Sequence, residues 1–253
     1  MRALLIACLL PITAAAADGY VRVPGGDIKT TLAYEDVRGP VRVPPFEMMT
    51  RLVTNAEFRA FVQRHPQWRR DRVPEVLAGP GYLAHWPGTL QLTPSAQEAQ
   101  PVTRVSWFAA RAYCEAQGAR LPAWLEWEYV AAADAVKRDA RGDSAWRERI
   151  LQWYAQSASQ PLPAAGASVA NVYGVRDLHG VAWEWTDDFS AMLVTADNRI
   201  QGDPGRKEFC GAGALSVADR EQYAMLMRIA LLSSLQARDS TSSLGFRCVR
   251  EVS

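Results

Sequence analysis

The segment Arg176 to Trp185, RDLHGVAWEW, holds three side chains whose types and spacing could do chemistry: Asp177, His179 and Glu184. Two carboxylates and an imidazole could hold a catalytic metal. The two carboxylates alone could line an oxygen-rich loop around a structural cation. The three residues could equally be the polar part of a buried turn. The segment by itself leaves all three alternatives open.

Cysteines and histidines elsewhere in the chain supply few further ligand sets. Beyond Cys8 the chain has Cys114, Cys210 and Cys248, and no two of them are closer than 38 residues. Structural zinc sites usually take ligands in close pairs, so zinc is disfavoured. One disulfide and one remaining thiol is the simplest arrangement in an oxidising compartment, although the count does not select the pair.

The histidines after residue 17 are His65, His85 and His179, and none of them forms a close i, i+3 or i, i+4 pair. A non-heme iron site needs two histidines and a carboxylate on one face, so iron is not assigned. His85 lies beside aromatic residues in YLAHWPG. It is expected to be a hydrogen-bonded structural residue, with a pocket-lining role as the alternative.

Other catalytic signatures are missing from the sequence. It contains no G-x-S-x-G elbow, no phosphate-binding glycine loop and no H-E-x-x-H helix. Glu126 and Glu128 of EWEY are two positions apart on a predicted helix, so they point to different faces and cannot act as a pair. We expect Glu126 to make structural hydrogen bonds and Glu128 to meet solvent or a salt-bridge partner.

The first 17 residues, MRALLIACLLPITAAAA, join one positive charge to an apolar run and a small-residue tail. This pattern predicts a cleaved signal peptide, which leaves residues 18–253 as one exported domain, periplasmic or secreted. The apolar run is too short for a membrane span. Without Arg2, 27 basic and 27 acidic side chains remain, so no basic surface for nucleic acid is expected. We expect a monomer or a weak oligomer.

Capping signals predict three short helices. Thr54 and Glu57 have capping-box spacing before an apolar face. Ser106 predicts the N-cap of a second helix that ends at Gly118. A third helix is expected from Pro122.

Short β-branched runs between residues 21 and 55 predict two or three strands. The charged range 135–149 is expected to face solvent, and REQYAMLMRIALLSSLQA is consistent with a helix or with a helix and a strand. These elements suggest an α+β domain.

Three segments in this order resemble the formylglycine-generating enzyme or sulfatase-modifying factor family. They are PVTRVSWFAARAYCEAQGARLPAWLEWEYVAAA, NVYGVRDLHGVAWEWTDDF and LGFRCV, with VRVPGG and VTNAEFRAFV fitting the same pattern. The resemblance implies the irregular α+β fold of that family, related to C-type lectins, with low regular secondary structure and few short helices. It also implies a disulfide between Cys114 and Cys248.

The resemblance further implies a structural calcium ion in the opening segment. Its ligands would be the Asp177 and Glu184 carboxylates and the backbone carbonyls of Gly180 and Ala182. Oxygen donors of this kind suit Ca²⁺. The loop would then be structural rather than catalytic, and His179 would take no part in binding the metal.

Formylglycine-generating enzymes that this chain resembles oxidise a sulfatase cysteine with O₂ and a copper(I) ion held by two cysteines five residues apart. Thiolates suit Cu(I). The corresponding region here contains Cys210 alone, which makes it a weak catalytic candidate, with Met225 or Met227 as further soft donors. A second branch of the family uses non-heme iron. Neither copper nor iron is therefore assigned.

Some members of the family are exported accessory proteins that mature other products, such as siderophores and copper nitrite reductases, and the tail of this chain resembles that group. The first hypothesis is an exported maturation factor that acts on a protein or peptide, with oxidoreductase activity left open. The alternative is a non-catalytic protein or peptide-binding module on the same lectin-like scaffold.

Overall fold

A computed structural model of the chain describes residues 19–31, 39–92, 95–155, 161–190 and 223–252. The strands are short, and they are β1 (Tyr20–Val23), β2 (Gly26–Ile28), β3 (Val41–Val43), β4 (Phe46–Met49), β5 (Trp183–Glu184), β6 (Leu244–Gly245) and β7 (Val249–Glu251). The α-helices are α1 (Asn55–Arg64), α2 (Ser95–Glu98), α3 (Trp107–Ala116), α4 (Trp124–Ala131), α5 (Ser144–Tyr154) and α6 (Tyr223–Ser233).

The strands form three small sheets. An antiparallel sheet has the order β1-β4-β7, with Val23 opposite Phe46 and Met48 opposite Val249. Strands β2 and β3 pair antiparallel, and β5 pairs with β6 in parallel. Strands from opposite ends of the described chain therefore meet in one sheet. The described part of the region before α1, residues 19–31 and 39–54, forms four short strands rather than the two or three predicted.

Helix α1 begins where the capping box predicts. The Thr54 hydroxyl accepts from the backbone N–H of Glu57, and the Glu57 carboxylate accepts from the backbone N–H of Thr54. Its buried face carries Phe58, Phe61 and Val62, which is the predicted apolar face.

Helix α3 is likewise confirmed. Ser106 is its N-cap, with the hydroxyl accepting from the N–H of Ala109, and Gly118 follows the helix at a φ of +66°. Helix α4 begins at Trp124, two residues after Pro122, so that proline precedes the helix rather than opening it.

Most of the charged range 135–149 is exposed, as expected, but the range also contains the start of helix α5, which the sequence did not predict. Asp143 caps its N-terminus by accepting from the N–H groups of Ala145 and Trp146. Trp146 and Ile150, one turn apart, are buried although most of their neighbours are charged. Trp153 and Tyr154 add ring contacts with Trp183, so the helix packs on the core along one face. The ambiguous segment near the C-terminus is helical over α6.

An aromatic cluster occupies the centre of the core. Phe58 stacks on Tyr113 at 5.9 Å between ring centroids and meets Phe246 edge-on at 6.0 Å. Beside it the buried cysteines Cys114 and Cys248 form the predicted disulfide, with their Cα atoms 5.5 Å apart. The bond joins α3 to the C-terminal strand region.

Among the described residues, no helix is both long and apolar enough to span a membrane. The main hydrophobic core cluster draws on residues from Tyr20 to Val249. The boundaries of the predicted domain, 18–253, stay a prediction.

Candidate functional site

A buried ion pair fixes the end of the RDLHGVAWEW segment. Both carboxylate oxygens of Glu184 accept from the guanidinium of Arg247, at 2.7 Å from Nε and 3.0 Å from Nη2. Both side chains are fully buried. Arg247 also donates to the carbonyls of Met49 and Arg176. The pair therefore ties β5 to the end of β4 and to the loop that precedes β5.

The beginning of the segment is closed by Asp177. Its backbone has a φ of +65°, a left-handed conformation that aspartate tolerates better than most residues. One carboxylate oxygen accepts from the N–H of Gly166 and the other from the N–H of Ser168, at 3.1 Å. The Asp177 N–H donates to the Ser168 hydroxyl at 2.6 Å. Asp177 thus joins two loops rather than projecting into solvent.

These contacts bear on the predicted calcium ligands. Every carboxylate oxygen of Asp177 and Glu184 already accepts a hydrogen bond, and Arg247 neutralises Glu184. Each oxygen keeps a second lone pair, so a cation can be added without breaking these bonds. The loop then offers one uncompensated negative charge, and low ligand charge gives weak calcium sites. The residues fit a weakly held Ca²⁺, and binding by Asp177, Gly180, Ala182 and Glu184 stays a prediction.

A pocket of about 490 Å³ opens beside this loop, between helix α5 and residues 168–180. The aromatic and aliphatic part of its lining comes from Trp146, Ile150, Trp153, Val175 and Leu178. Its size is that of pockets that bind small ligands or single side chains of a partner. Nothing in the sequence indicated it, because α5 was not predicted.

His179 lines this pocket. Its Nε2 donates to the Ala131 carbonyl at 2.9 Å, and the ring lies edge-on between Trp127 and Trp146. Burial, followed by the charges of Arg228 and Arg247, lowers the pKa of His179 to about 4. The ring is therefore neutral at physiological pH, with the proton on Nε2 and the lone pair on Nδ1. The family resemblance had implied only that His179 takes no part in binding a metal, and its place in a pocket was not predicted.

A second buried cation, Arg228, lies against Trp127, one of the two rings that contact His179. The Arg228 guanidinium of α6 stacks 3.5 Å from the ring centre of Trp127 and donates to the Glu184 carbonyl. Burial lowers the pKa of Arg228 to about 10. The indole face stabilises the charge where a carboxylate partner would otherwise be needed. This contact anchors α6 to α4.

The two glutamates of EWEY have unequal surroundings. Glu126 makes structural hydrogen bonds as predicted, accepting from the Ala123 N–H and from Arg120. Of the two alternatives for Glu128, the solvent contact is wrong, because its side chain is fully buried, and the salt bridge is confirmed, with Arg141 as the partner. Glu128 accepts from Thr30, Thr31 and Trp124, with Arg141 at 3.8 Å. It fastens the segment after β2 to helix α4.

His85 is partly buried in the loop that packs Trp86 into the core. Its Nε2 lies 3.4 Å from Asn55 Oδ1, and Trp86 donates to the same oxygen at 3.0 Å. Its Nδ1 has no hydrogen-bond partner among the described residues. Burial, with Arg104 and Arg70 nearby, lowers the pKa of His85 to about 4. These contacts give His85 a structural environment beside Asn55, the first residue of α1.

The soft-metal candidates are only partly covered by the structure. Cys210 lies outside the described residues. Met225 is buried in α6, whereas Met227 is 41% exposed on the same helix. Within the described ranges, no group of three His, Cys, Asp or Glu side chains could hold a metal.

Comparison with known proteins places these features in a family. The model of the sulfatase-modifying factor enzyme 1-like domain matches residues 10–252. Formylglycine-generating enzyme from Streptomyces coelicolor is 28% identical over 92% of this chain and 89% of its own. A Bos taurus protein named inactive C-alpha-formylglycine-generating enzyme 2 is 28% identical over 90% of this chain and 86% of its own.

Among solved structures, PvdO from Pseudomonas aeruginosa aligns over 92% of this chain and 94% of its own, with a TM-score of 0.47 and 17% identity. The family match covers nearly the whole chain, including the Cys114–Cys248 disulfide and the loop closed by Asp177 and Glu184. The chain belongs to the sulfatase-modifying factor enzyme 1-like family.

Proposed function

We propose that this protein is an exported maturation or accessory factor that acts on a protein or peptide. One observation carries the proposal. Of the three cysteines in residues 18–253, two are joined as Cys114–Cys248, so Cys210 is the remaining thiol. A copper(I) ion held by two thiolates cannot be built from one thiol of one chain.

Two modes of action remain within this proposal. The relative named formylglycine-generating enzyme supports an oxidoreductase mode. Such a mode would need Cys210 or another group to recruit a metal. A non-catalytic binding module would hold its partner on the same scaffold. The single thiol favours the second mode, and a relative named inactive matches this chain as well as the relative named as an enzyme does.

Metal content separates the two modes. Residues 18–253 are loaded anaerobically with Cu(I) or Fe(II), desalted, and analysed by mass spectrometry beside the Cys210→Ser variant. We expect substoichiometric copper and iron in both proteins. One copper per chain that is lost on Cys210→Ser would assign the oxidoreductase mode instead.

Peptide binding is tested by panning a random peptide display library against folded residues 18–253, with heat-denatured protein as the control. We expect one sequence class to be enriched on the folded protein alone. If no class is enriched, peptide recognition is refuted.

Export is part of the proposal and has its own test. The full chain is expressed in a bacterium, and the mass and N-terminal sequence of the protein in the periplasm or medium are determined. We expect an N-terminus at Asp18. A protein that stays in the cytoplasm with residues 1–17 intact would contradict export.

A further inference from the structure

The pocket beside helix α5 has two aromatic walls on one side. Trp146 and Trp153 lie on α5, seven residues apart, and Ile150 lies between them on the same face. Leu178 and Val175, from the loop before β5, also line the pocket. Such a slot favours a flat apolar group, because offset and edge-on ring contacts stabilise an aromatic guest beyond the area that it buries.

Most polar groups of the lining are already in use. The Asn171 side chain donates to the Val130 carbonyl and accepts from the N–H groups of Tyr173 and Val175. The Asp177 oxygens accept from backbone N–H groups, and the Ser168 hydroxyl accepts from the N–H of Asp177. These groups shape the pocket, but their main hydrogen-bonding capacity is spent on the protein itself.

His179 is the exception among the buried groups of the lining. A carbonyl can only accept, so the bond from Nε2 to Ala131 places the ring proton there and leaves Nδ1 as an acceptor. The edge-on contacts with Trp127 and Trp146, 5.7 Å and 5.4 Å between centroids, hold the ring in this orientation. The pocket lining therefore contains one acceptor of fixed orientation, next to Trp146.

The mouth of the pocket is accessible and carries a guanidinium. Val169 is 81% exposed at the edge. Arg149 is exposed beside it and has no ion-pair partner among the described residues. A guanidinium at the mouth can donate to main-chain carbonyls of a peptide whose side chain enters the pocket.

We propose that this pocket binds an aromatic side chain carrying an N–H or O–H donor, tryptophan or tyrosine, presented by a peptide or protein partner. The ring would lie against Trp146 and Trp153, and its donor would meet His179 Nδ1. Phenylalanine would fill the slot but leave that acceptor unpaired on burial, which costs affinity. The inference rests on the proposed function in one respect, the peptide nature of the ligand.

The test compares three blocked tripeptides, Ac-Ala-Tyr-Ala-NH₂, Ac-Ala-Trp-Ala-NH₂ and Ac-Ala-Phe-Ala-NH₂. Each is titrated into ¹⁵N-labelled residues 18–253, and the indole N–H signals of Trp146 and Trp153 are followed by NMR. We expect saturable shifts with the tyrosine and tryptophan peptides and about tenfold weaker binding of the phenylalanine peptide. Equal affinities for tyrosine and phenylalanine, or no saturation up to 10 mM ligand, would overturn the proposal.

Two exposed valines provide a matched pair of variants. Val169→Asp places a charge at the mouth of the pocket and should weaken binding of the tyrosine peptide at least fivefold. The control is Val76→Asp, at a position that is 71% exposed and outside the lining, and it should leave the affinity unchanged. Because both sites are exposed, neither variant should alter folding. His179→Phe, checked for folding by its thermal transition, should abolish the preference for tyrosine over phenylalanine. Unchanged affinity in Val169→Asp would refute the site.

The tripeptide titration and the panning experiment can fail independently, so failure of the pocket can be told apart from failure of the proposed function. Panned peptides that lack aromatic residues and ignore Val169→Asp would refute this pocket and leave peptide binding intact. Tripeptides that bind the pocket while panning enriches nothing would retain the aromatic site and refute recognition of a longer partner.

Discussion

At the scale of single residues, the buried ion pair of Glu184 and Arg247 is the main link between segments of this protein. Taking two charges out of water is costly, and their attraction offsets that cost only when the remaining donors and acceptors are also satisfied. Arg247 meets this condition with four hydrogen bonds, two to the carboxylate and two to carbonyls of other segments. The pair also links segments that are far apart in the chain.

Replacing Arg247 by Met should destabilise the protein by about 3–5 kcal/mol, because Glu184 would remain buried without its partner. Urea denaturation measures the change. The control is Arg42→Met, which removes an exposed ion pair with Asp27 and should cost less than about 1 kcal/mol. Adding Glu184→Gln to Arg247→Met should recover part of the lost stability, because the buried charge is then removed. A loss of stability below about 1 kcal/mol for Arg247→Met alone would contradict the buried ion pair.

His85 should make stability depend on pH. Its folded pKa of about 4 lies below the ordinary value of 6.5, so the unfolded chain binds the proton more readily. The stabilisation is complete above about pH 6.5 and is lost as the pH falls towards 4. Partial exposure reduces the effect to about 1 kcal/mol at pH 5. Between pH 7 and 5 the thermal unfolding midpoint of His85→Gln should fall less steeply than that of the wild type. Parallel plots of midpoint against pH would contradict this.

At the scale of elements, the candidate site is made by one helix and one loop. Helix α5 is held by Trp146 and Ile150, and the loop before β5 is closed at its two ends by Asp177 and Glu184. The pocket lies where the two elements face each other. Each element is irregular or short, so neither would hold this geometry apart from the core.

The predicted calcium site belongs to this loop. With a dissociation constant of about 10⁻⁴–10⁻³ M, as in weak extracellular sites, 5 mM Ca²⁺ should stabilise chelator-treated protein by about 1–2 kcal/mol. Thermal unfolding measures the rise in midpoint, with Mg²⁺ as the control ion. Asp177→Asn should reduce the rise, whereas Asp27→Asn, in an exposed pair, should not. An unchanged midpoint in wild type would refute the site.

At the scale of the whole molecule, contacts between distant parts of the chain dominate. Strand β4 pairs with β1 on one side and with β7 on the other, and the parallel pair of β5 and β6 joins residues about sixty apart in the chain. The disulfide spans 134 residues. A fold with so little regular structure depends on such links, since its short strands and helices cannot be stable singly.

Removing the disulfide with Cys114→Ala and Cys248→Ala should cost about 2–5 kcal/mol, because the unfolded chain gains the entropy of a long open loop. Chemical denaturation measures the loss, and Cys210→Ser is the control, which leaves the bond intact. Thiol titration of unfolded residues 18–253 should find one free thiol before reduction and three after it. Three thiols before reduction would contradict the bond.

Local signals account for much of what was predicted correctly. The capping box of α1, and Ser106 and Gly118 at the two ends of α3, act over three or four residues, so they can be read directly from the chain. The disulfide came from the family resemblance, since counting cysteines left the pair open. Helix α5 was missed because its buried face is reduced to Trp146 and Ile150 among charges, a pattern that is also typical of a solvated segment.

By itself the sequence determined the family, the caps of α1 and α3, and the shortage of thiols for a two-thiolate copper site, because each is a matter of residue identity or close spacing. Tertiary structure alone decided that Glu184 is paired with Arg247, that Glu128 is buried, and that His179 lines a pocket. These features join residues between 48 and 98 positions apart, or lie on a helix that the pattern concealed. Burial and hydrogen bonding across such separations are set by packing, which no local pattern contains.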